Sequence, residues 1–222
     1  MSSPTRRTML AFSSLLPLAG APAARADGGG AGAAGEAGRF APAVSGREVM
    51  RRRYFPDVVL TTHEGKRVRF YDDLLKDKIV VLNMMYADCT GICPLITANL
   101  VRAQKILGER VGRDIFIYSI TVKPEVDTPE HLREYAVMHQ VGPGWLFLTG
   151  RPGDVELLRH KLGFADANPE VDRDKSRHSG MVRYGNEPLA LWGSCQGQAK
   201  PEWIAEEISF VIRKPPLRTR VG

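Results

Sequence analysis

The sequence predicts an α/β sandwich, with a central mixed sheet flanked by helices and a β-hairpin at its N-terminal end. Two observations lead to this fold class. Strand-like apolar runs alternate with stretches of helical periodicity along the chain. Two of those runs, residues 79–86 and 115–120, are nearly continuously apolar, as expected of strands covered on both faces. A chain of 222 residues with 43% hydrophobic residues can bury a core without disulfide bonds.

The predicted elements begin with a hairpin, in which Gly65 lies in the turn between residues 58–61 and 68–70. Residues 72–75 form a short turn or helix before the first central strand. The later elements are a helix from Pro94 to about Gly108, a strand at 115–120, a helix from Thr128 to about His139, a strand at 145–148, a helix at 153–162, a strand at 179–184 and a helix at 201–212. The inward residues predicted for the last helix are Trp203, Ile204, Ile208 and Val211.

The first 26 residues have the features of an export signal. Adjacent Arg6 and Arg7 precede a short apolar stretch, which ends at the small-x-small cleavage pattern of residues 24–26. The twin arginine resembles a bacterial Tat signal. We therefore predict cleavage after Ala26 and a periplasmic protein. The alternative is an uncleaved signal that anchors the chain in the membrane.

The rest of the chain divides into three segments. Residues 27–50 are rich in Gly and Ala and are predicted to be a flexible tether, residues 51–213 to be the folded domain, and residues 214–222 to be a basic tail. The chain has 31 basic and 25 acidic residues, which give a net charge of +6. Removal of the signal takes away three arginines and leaves a net charge of +3. The remaining charges interleave both signs without an aromatic and basic stripe, so the sequence predicts no nucleic-acid partner.

Cys89 and Cys93 are the strongest indication of chemistry. They follow an apolar strand and precede a helix opened by Pro94, and Gly91 lets the loop curl so that both sulfurs can face one point. A strand, a two-cysteine loop and a helix form the thioredoxin arrangement. The helix N-terminus favours a thiolate, which is both the nucleophile of disulfide exchange and a soft ligand for Cu(I). The pair alone does not separate a redox function from metal binding.

Other candidate residues are weaker. His178 precedes a predicted strand, and an imidazole over the thiol pair would complete a site of two sulfurs and one nitrogen. The remaining histidines lie on predicted helices without i, i+4 partners or, for His63, in the hairpin turn. Asp127 or Thr128 is predicted to cap a helix. Cys195 has no assigned partner, and it is interpreted as an inert buried thiol, a disulfide partner or a regulatory thiol.

Four short motifs in this order resemble the Sco/SenC family, over roughly residues 54–212. They are Cys89-x-x-x-Cys93-Pro94, the segment Pro124–Glu130, Leu148-Thr149-Gly150 and His178-Ser179. The family consists of thioredoxin-like copper chaperones for the copper centre of cytochrome c oxidase. The resemblance implies that Cys89, Cys93 and His178 bind copper, and that the partner is an apo-copper protein such as an oxidase subunit near a membrane.

The chain departs from the family pattern at four positions. Thr90 and Gly91 stand between the cysteines where the family has Pro and Asp, and Lys123 and Arg177 each replace an Asp. More positive charge favours a thiolate and disfavours an additional cation. Copper binding stays the leading hypothesis, since two thiolates still neutralise Cu(I), but these changes strengthen the alternative relative to a typical family member. That alternative is a periplasmic thiol–disulfide oxidoreductase with Cys89 and Cys93 as the redox pair and a thiol–disulfide reductant as partner. Whether the chain is an enzyme therefore stays open at this point.

Overall fold

Within the described residues of the computed structural model, 44–174 and 180–212, a seven-stranded mixed sheet forms the centre of the fold. The strands are β1 (Val59–Thr62), β2 (Arg67–Arg69), β3 (Ile79–Met85), β4 (Ile115–Thr121), β5 (Trp145–Gly150), β6 (Met181–Asn186) and β7 (Leu191–Gln196). Their order across the sheet is β2-β1-β5-β4-β3-β6-β7. The predicted fold class is confirmed, including the N-terminal hairpin of β1 and β2.

The three central strands β3, β4 and β5 are parallel, and all other pairs are antiparallel. Residues 80–85 of β3 are all buried, which accounts for the continuous apolar run in the sequence. Because β3 and β4 are parallel, their C-terminal ends meet at one edge of the sheet, where Met85 pairs with Thr121. The cysteine loop leaves β3 at this edge, where ligand sites of open α/β sheets collect.

The helices cover both faces of the sheet. They are α1 (Gly46–Tyr54), α2 (Cys93–Leu107), α3 (Pro129–Met138), α4 (Pro152–Lys161), α5 (Pro169–Arg173) and α6 (Pro201–Ile212), with a π-helical turn at Phe70–Leu75. Right-handed crossovers through α2 and α3 place both helices on one face. The Tyr135 hydroxyl of α3 lies 2.9 Å from Thr97 Oγ1 of α2. No helix among the described residues is long and apolar enough to cross a bilayer.

Three features of the fold differ from the sequence analysis. Helix α1 begins at Gly46, so regular structure starts before residue 51, where the tether was predicted to end. Trp203 is 43% exposed rather than directed inward, whereas Ile204, Ile208 and Val211 are buried as predicted. Strand β7, which carries Cys195, was not predicted. Trp203 stands at the edge of the apolar stripe of α6, where periodicity alone does not separate inside from outside.

A buried carboxylate attaches α1 to the domain. Glu187 is 2% exposed and accepts hydrogen bonds from the Arg47 guanidinium on both oxygens, at 2.7 Å each. It also accepts from the Tyr71 hydroxyl at 2.7 Å and from the Asp77 amide at 2.9 Å. Burial acts to raise the pKa of Glu187, but these hydrogen bonds outweigh burial and hold the pKa below its ordinary value of 4.5.

Replacing Glu187 with Gln should lower the free energy of unfolding by about 1–3 kcal/mol at pH 7, because donors of Arg47 and Tyr71 lose a charged acceptor. A carboxyl with a depressed pKa contributes stability that is complete above its unfolded value and is lost as the pH falls through its folded value. The difference between the wild type and Glu187→Gln should therefore shrink below about pH 4.3. Urea unfolding at several pH values measures it, with the exposed Glu206→Gln as the matched control. A difference that stays constant down to pH 3 would contradict the assignment.

Candidate functional site

The cysteine loop comprises residues 86–92, between the end of β3 at Met85 and the start of α2 at Cys93. Cys89 is 6% exposed and Cys93 is 1% exposed, and both side chains are in the thiol form. An added Cβ on Gly91 would lie 3.8 Å from Cys89 Sγ, so the loop curls back over this sulfur as the sequence predicted. The fold therefore brings the two sulfurs together at the N-terminus of a fifteen-residue helix.

Cys89 lies among hydrogen-bond donors. Burial acts to raise its pKa, but donors from the Cys93 thiol, the Cys93 and Gly91 amides and the Tyr86 hydroxyl lower the pKa below its ordinary value of 9.0. The Cys93 amide belongs to the first turn of α2, whose N-cap residue Ile92 supplies no side-chain acceptor. A thiolate at Cys89 thus accepts from a helix N-terminus, the interaction expected from the sequence.

Cys93 has the opposite tendency. Burial raises the pKa of its thiol to about 12, and the hydrogen bond that it shares with Cys89 acts in the same direction. When the pair loses one proton, the remaining proton is therefore held by Cys93. This asymmetry suits a pair in which Cys89 is the reactive thiolate and Cys93 becomes a thiolate only when a soft cation or a disulfide exchange replaces its proton.

Tyr86 is a residue of the site that the sequence analysis treated only as part of a strand. Its hydroxyl is hydrogen-bonded to Cys89, and this bond together with burial raises the pKa of the phenol to about 12. The Lys123 ammonium lies 3.8 Å from the centroid of its ring. The sequence predicted that the charge of Lys123 favours the Cys89 thiolate. In the structure the hydrogen bonds to the sulfur are the larger contributions to the lowered pKa of Cys89. Lys123 instead contacts the ring of Tyr86, whose hydroxyl is one of the donors.

Asp127 is a buried side chain that holds the cysteine loop through a hydrogen bond to its backbone. It is 1% exposed, and its Oδ2 accepts the Ala87 amide at 3.1 Å and the Thr121 hydroxyl of β4. Thr128, not Asp127, caps α3 by accepting the His131 amide, which settles the alternative left open by the sequence. The local pattern did not indicate the role of Asp127, because the Ala87 amide lies 40 residues away in sequence.

His131 lies next to this support. Its Nδ1 is 3.5 Å from Asp127 Oδ1, and its Nε2 is 3.3 Å from Asp88 Oδ1. The side chain therefore connects the buried carboxylate to the residue that precedes Cys89. These contacts are to carboxylates and not to Cys89 or Cys93. They agree with the sequence, which gave His131 little importance as a metal ligand.

His178 and Arg177 lie outside the described residues, so the third predicted ligand stays a prediction. The described part of the chain stops at Asp174 and resumes at Gly180. The charge of Asp174 acts to raise the pKa of Tyr86. An added Cβ on Gly180 would lie 3.0 Å from Ile92 in the cysteine loop. Gly180 thus lies next to the cysteine loop.

Cys195 is separate from the pair. It lies on β7 opposite Val182 of β6, and it is a buried free thiol. Burial raises the pKa of this thiol to about 11, and the nearby Glu207 charge adds to the shift. Of the interpretations considered for Cys195, the structure favours an inert buried thiol.

A second cluster has metal-ligand residue types but a different function. The ligand atoms of Glu156, His160 and Asp172 lie within 4.8 Å of one another. The buried Arg159 guanidinium donates to both carboxylates, with a distance of 2.7 Å to Glu156 Oε1. The cluster is an ion-pair network that joins α4 to α5, and Arg159 compensates one of its two negative charges.

The comparisons with known proteins agree with this architecture. The SCO1/SenC family model matches residues 50–213. The chain belongs to the SCO1/SenC family. The resemblance predicted from four short motifs is therefore confirmed.

Several relatives of this SCO1/SenC chain show the range of similarity. The SCO1 protein homolog of Bacillus subtilis (strain 168) is 34% identical over 88 residues, which are 39% of this chain and 44% of the relative, so less than half of that protein's length is matched. The structure of Arabidopsis thaliana ScoI with copper bound has a TM-score of 0.57 at 21% identity, covering 72% of this chain and 98% of that one. The structure of BsSco, described with a disulfide switch and as a member of the Sco family of cytochrome c oxidase assembly proteins, has a TM-score of 0.58 at 22% identity over 72% of this chain and 93% of that one.

Proposed function

We propose that this protein binds Cu(I) with Cys89, Cys93 and His178 and delivers it to an apo-copper protein such as a respiratory oxidase subunit. The observation that carries the proposal is the paired buried thiols at the N-terminus of α2, with the pKa of Cys89 lowered by hydrogen bonds. The copper-bound structure of a family member of the same fold supports it.

The donor set suits this cargo. Cu(I) prefers soft sulfur ligands, and two thiolates neutralise its charge with one negative charge remaining. Binding displaces the proton shared by the two cysteines, so copper uptake is accompanied by proton release. Delivery would proceed by ligand exchange, in which thiolates of the acceptor replace Cys89 and Cys93 one at a time. His178 is assigned as the third ligand from the family resemblance.

The proposed location is the periplasm. Residues 1–26 would direct export and be cleaved, residues 27–50 would include the tether, and residues 214–222 would form a basic tail. If the signal were not cleaved, it would hold the same domain at the membrane. Either arrangement places the copper site on the side of the membrane where the acceptor matures.

Anaerobic Cu(I) titration against a competing chelator tests the proposal. We expect one equivalent of tightly bound Cu(I) per chain, and we expect His178→Ala to weaken binding by about tenfold or more, since even outer-shell ligand partners contribute 10–100-fold. His160→Ala is the matched control, because His160 is engaged by Glu156 at 3.0 Å within the α4–α5 ion-pair network.

Two results would refute the three-ligand site. One is the absence of stoichiometric binding by the reduced chain. The other is unchanged affinity in His178→Ala, with coordination by sulfur alone in X-ray absorption spectra of the loaded protein.

The asymmetry of the two thiols supports a second candidate function, thiol–disulfide exchange. The Cys89 thiolate would attack a client disulfide, form a mixed disulfide and release one client thiolate. Cys93 would then lose its proton, attack Cys89 Sγ and release the second client thiolate, leaving a Cys89–Cys93 disulfide and a reduced client. A separate dithiol reductant would then reduce the Cys89–Cys93 disulfide by thiol–disulfide exchange and would itself be oxidised to a disulfide.

The two functions are separated by trapping. In Cys93→Ser the resolving step is removed, so a client would accumulate as a mixed disulfide with Cys89 under the redox function. Copper delivery predicts no such accumulation, and it predicts that added copper alone restores the oxidase in cells lacking the protein.

A further inference from the structure

The two edges of the seven-stranded sheet differ in how they are protected. Strand β2 forms one edge, and it is three residues long with both Arg67 and Arg69 exposed. Short edge strands with charged side chains resist pairing with other chains. Strand β7 forms the other edge over six residues, Leu191–Gln196, and it contains no charged residue and no proline. The β7 edge therefore lacks the features that keep an edge strand unpaired.

The backbone of β7 presents alternate residues to this edge. The Gly197 amide donates to the Gly180 carbonyl at 2.9 Å, which continues the β6–β7 ladder by one hydrogen-bonded pair. Hydrogen-bonded and non-hydrogen-bonded pairs alternate in an antiparallel ladder. The N–H and C=O groups of Trp192, Ser194 and Gln196 therefore point away from β6 and towards the edge of the sheet.

These outward groups of β7 are left open by the described part of the chain. The Gln196 carbonyl accepts the Ala199 amide at 3.1 Å, and the other outward groups have no hydrogen-bond partner among residues 44–174 and 180–212. Ser194 and Gln196 are exposed. Phe55, the residue after α1, has its ring centre 4.9 Å from that of Trp192, whose side chain lies on the face of the sheet opposite α6. This contact covers a face of β7 and not its edge.

The outer side of α6 adds an apolar surface next to the edge. Glu207 of α6 lies over the outer strands, because it accepts from the Tyr184 hydroxyl of β6 and its charge acts on Cys195 of β7. Trp203 and Phe210 lie four residues before and three residues after Glu207, so they share its side of the helix. They are 43% and 76% exposed. An exposed aromatic surface therefore accompanies the open edge of β7.

We propose that two copies of this chain associate through β7 as a symmetric dimer, in which the two β7 strands pair antiparallel and the sheet becomes continuous across both copies. The outward N–H and C=O groups of each strand hydrogen-bond to those of the other, so both copies contribute the same surface. Because β7 has no charged residue, the pairing brings no like charges together. The strand therefore fits a second copy of itself.

The symmetry also brings the aromatic surfaces together. A two-fold axis perpendicular to the sheet relates the copies, so both α6 helices lie on the same face of the joined sheet. Trp203 and Phe210 of each copy then face the other copy and add apolar contact. This contribution matters because stable interfaces bury about 1,200–2,000 Å², of which a six-residue strand supplies only a part.

The dimer leaves both cysteine loops accessible. Strand β6 is antiparallel to both β3 and β7, so β3 and β7 run in the same direction. The two-fold axis reverses this direction in the second copy, and the two loops therefore lie at opposite ends of the joined sheet. The dimer is thus independent of the copper function proposed above.

Sedimentation velocity of the whole 222-residue chain at increasing concentration measures the association, and residue-specific hydrogen exchange by NMR locates it. We expect a dimer, with exchange of the Trp192, Ser194 and Gln196 amides slowing as the concentration rises. The Gly193 and Cys195 amides are internal references, because they are already bonded to β6 and should be protected at every concentration.

Two pairs of variants test the two parts of the interface. Ser194→Pro removes one outward N–H and leaves the β6–β7 ladder intact, so it should weaken the dimer by at least about tenfold. Ser194→Thr keeps the N–H and is the matched control. Phe210→Ser should also weaken the dimer, whereas Val137→Ser should not, because Val137 is similarly exposed at 73% but lies on α3.

Three results would overturn the proposal. The chain could stay monomeric up to about 0.5 mM, or Ser194→Pro could dimerise as readily as Ser194→Thr. The third is exchange of the three outward amides that does not change with concentration, because the edge would then be covered by another segment of the same chain or be absent from the interface. Exchange in the wild type decides the question even if Ser194→Pro does not fold.

Discussion

Iodoacetamide at pH 7 should modify Cys89 at least about 30 times faster than Cys93. The pKa of Cys89 is below 9.0 and that of Cys93 is about 12, so the values differ by three or more. At pH 7 the fraction present as thiolate is therefore about a thousandfold or more larger for Cys89 than for Cys93. The thiolate of lower pKa is intrinsically the weaker nucleophile, which reduces this advantage by about 20–30-fold. The 1% exposure of Cys93 adds to the difference.

The measurement is timed alkylation of the reduced, metal-free wild type, followed by peptide mass mapping of each cysteine. The wild type is required because Cys93→Ser would replace the thiol donor by a hydroxyl and so change the hydrogen bond that lowers the pKa of Cys89. Cys195 is the internal control, since burial raises its pKa to about 11 and it should react slowly. Equal rates at Cys89 and Cys93 would show that the proton is not held asymmetrically. The Cys89 rate should also level off at a lower pH than that of an ordinary cysteine thiol, because its pKa is lowered.

Much of the fold was predictable because its strands differ strongly from their surroundings. The apolar run of β3 and the pairing Cys89-x-x-x-Cys93-Pro94 are local signals, and they place the loop at the start of α2 without tertiary information. Strand β7 contains Gly193 and polar residues and has no clear alternation, so its pairing with β6 was visible only in the structure. Helix α1 is basic and has no buried residue, and it depends on Arg47 contacting Glu187 across 140 positions.

The sequence predicted the two reactive thiols of the candidate site, but it did not predict the residues that hold the cysteine loop in place. Thiol chemistry is encoded in two residues of the right type, which the sequence displays directly. The hydrogen bond from Tyr86 depends on the curl of the loop, and the contact of Asp127 with Ala87 depends on β3 and β4 ending side by side. Such contacts join segments distant in sequence, so they follow from the sheet register and not from a local pattern. The assignment of His178 still depends on the family resemblance.

Asp127→Ala should lower the free energy of unfolding by about 2–6 kcal/mol, since each of two donors left unpaired costs about 1–3 kcal/mol, and this is the largest stability effect that we expect from a single substitution here. The carboxylate is 1% exposed and accepts from the half-buried Ala87 amide and the buried Thr121 hydroxyl, so alanine leaves both donors without their acceptor and opens a small cavity. Ala87 is two residues before Cys89, so a variant that remains folded should also bind Cu(I) more weakly. Urea unfolding at pH 7 measures the first effect and chelator competition the second.

Two matched variants separate the support of the loop from charge alone. Asp88→Asn removes a carboxylate that is 68% exposed and contacts the same His131, so it should change stability by less than about 0.5 kcal/mol. Thr121→Val removes one of the two donors and also the acceptor of the Lys123 amide, and it leaves Ala87 bonded, so we expect an intermediate loss of about 1–2 kcal/mol with Cu(I) affinity preserved. If Asp127→Ala were no more destabilising than Asp88→Asn, Asp127 would not hold the loop. If Thr121→Val weakened copper binding as strongly as Asp127→Ala, the Ala87 contact would not be the one that positions Cys89, and the connection would run through β4 instead.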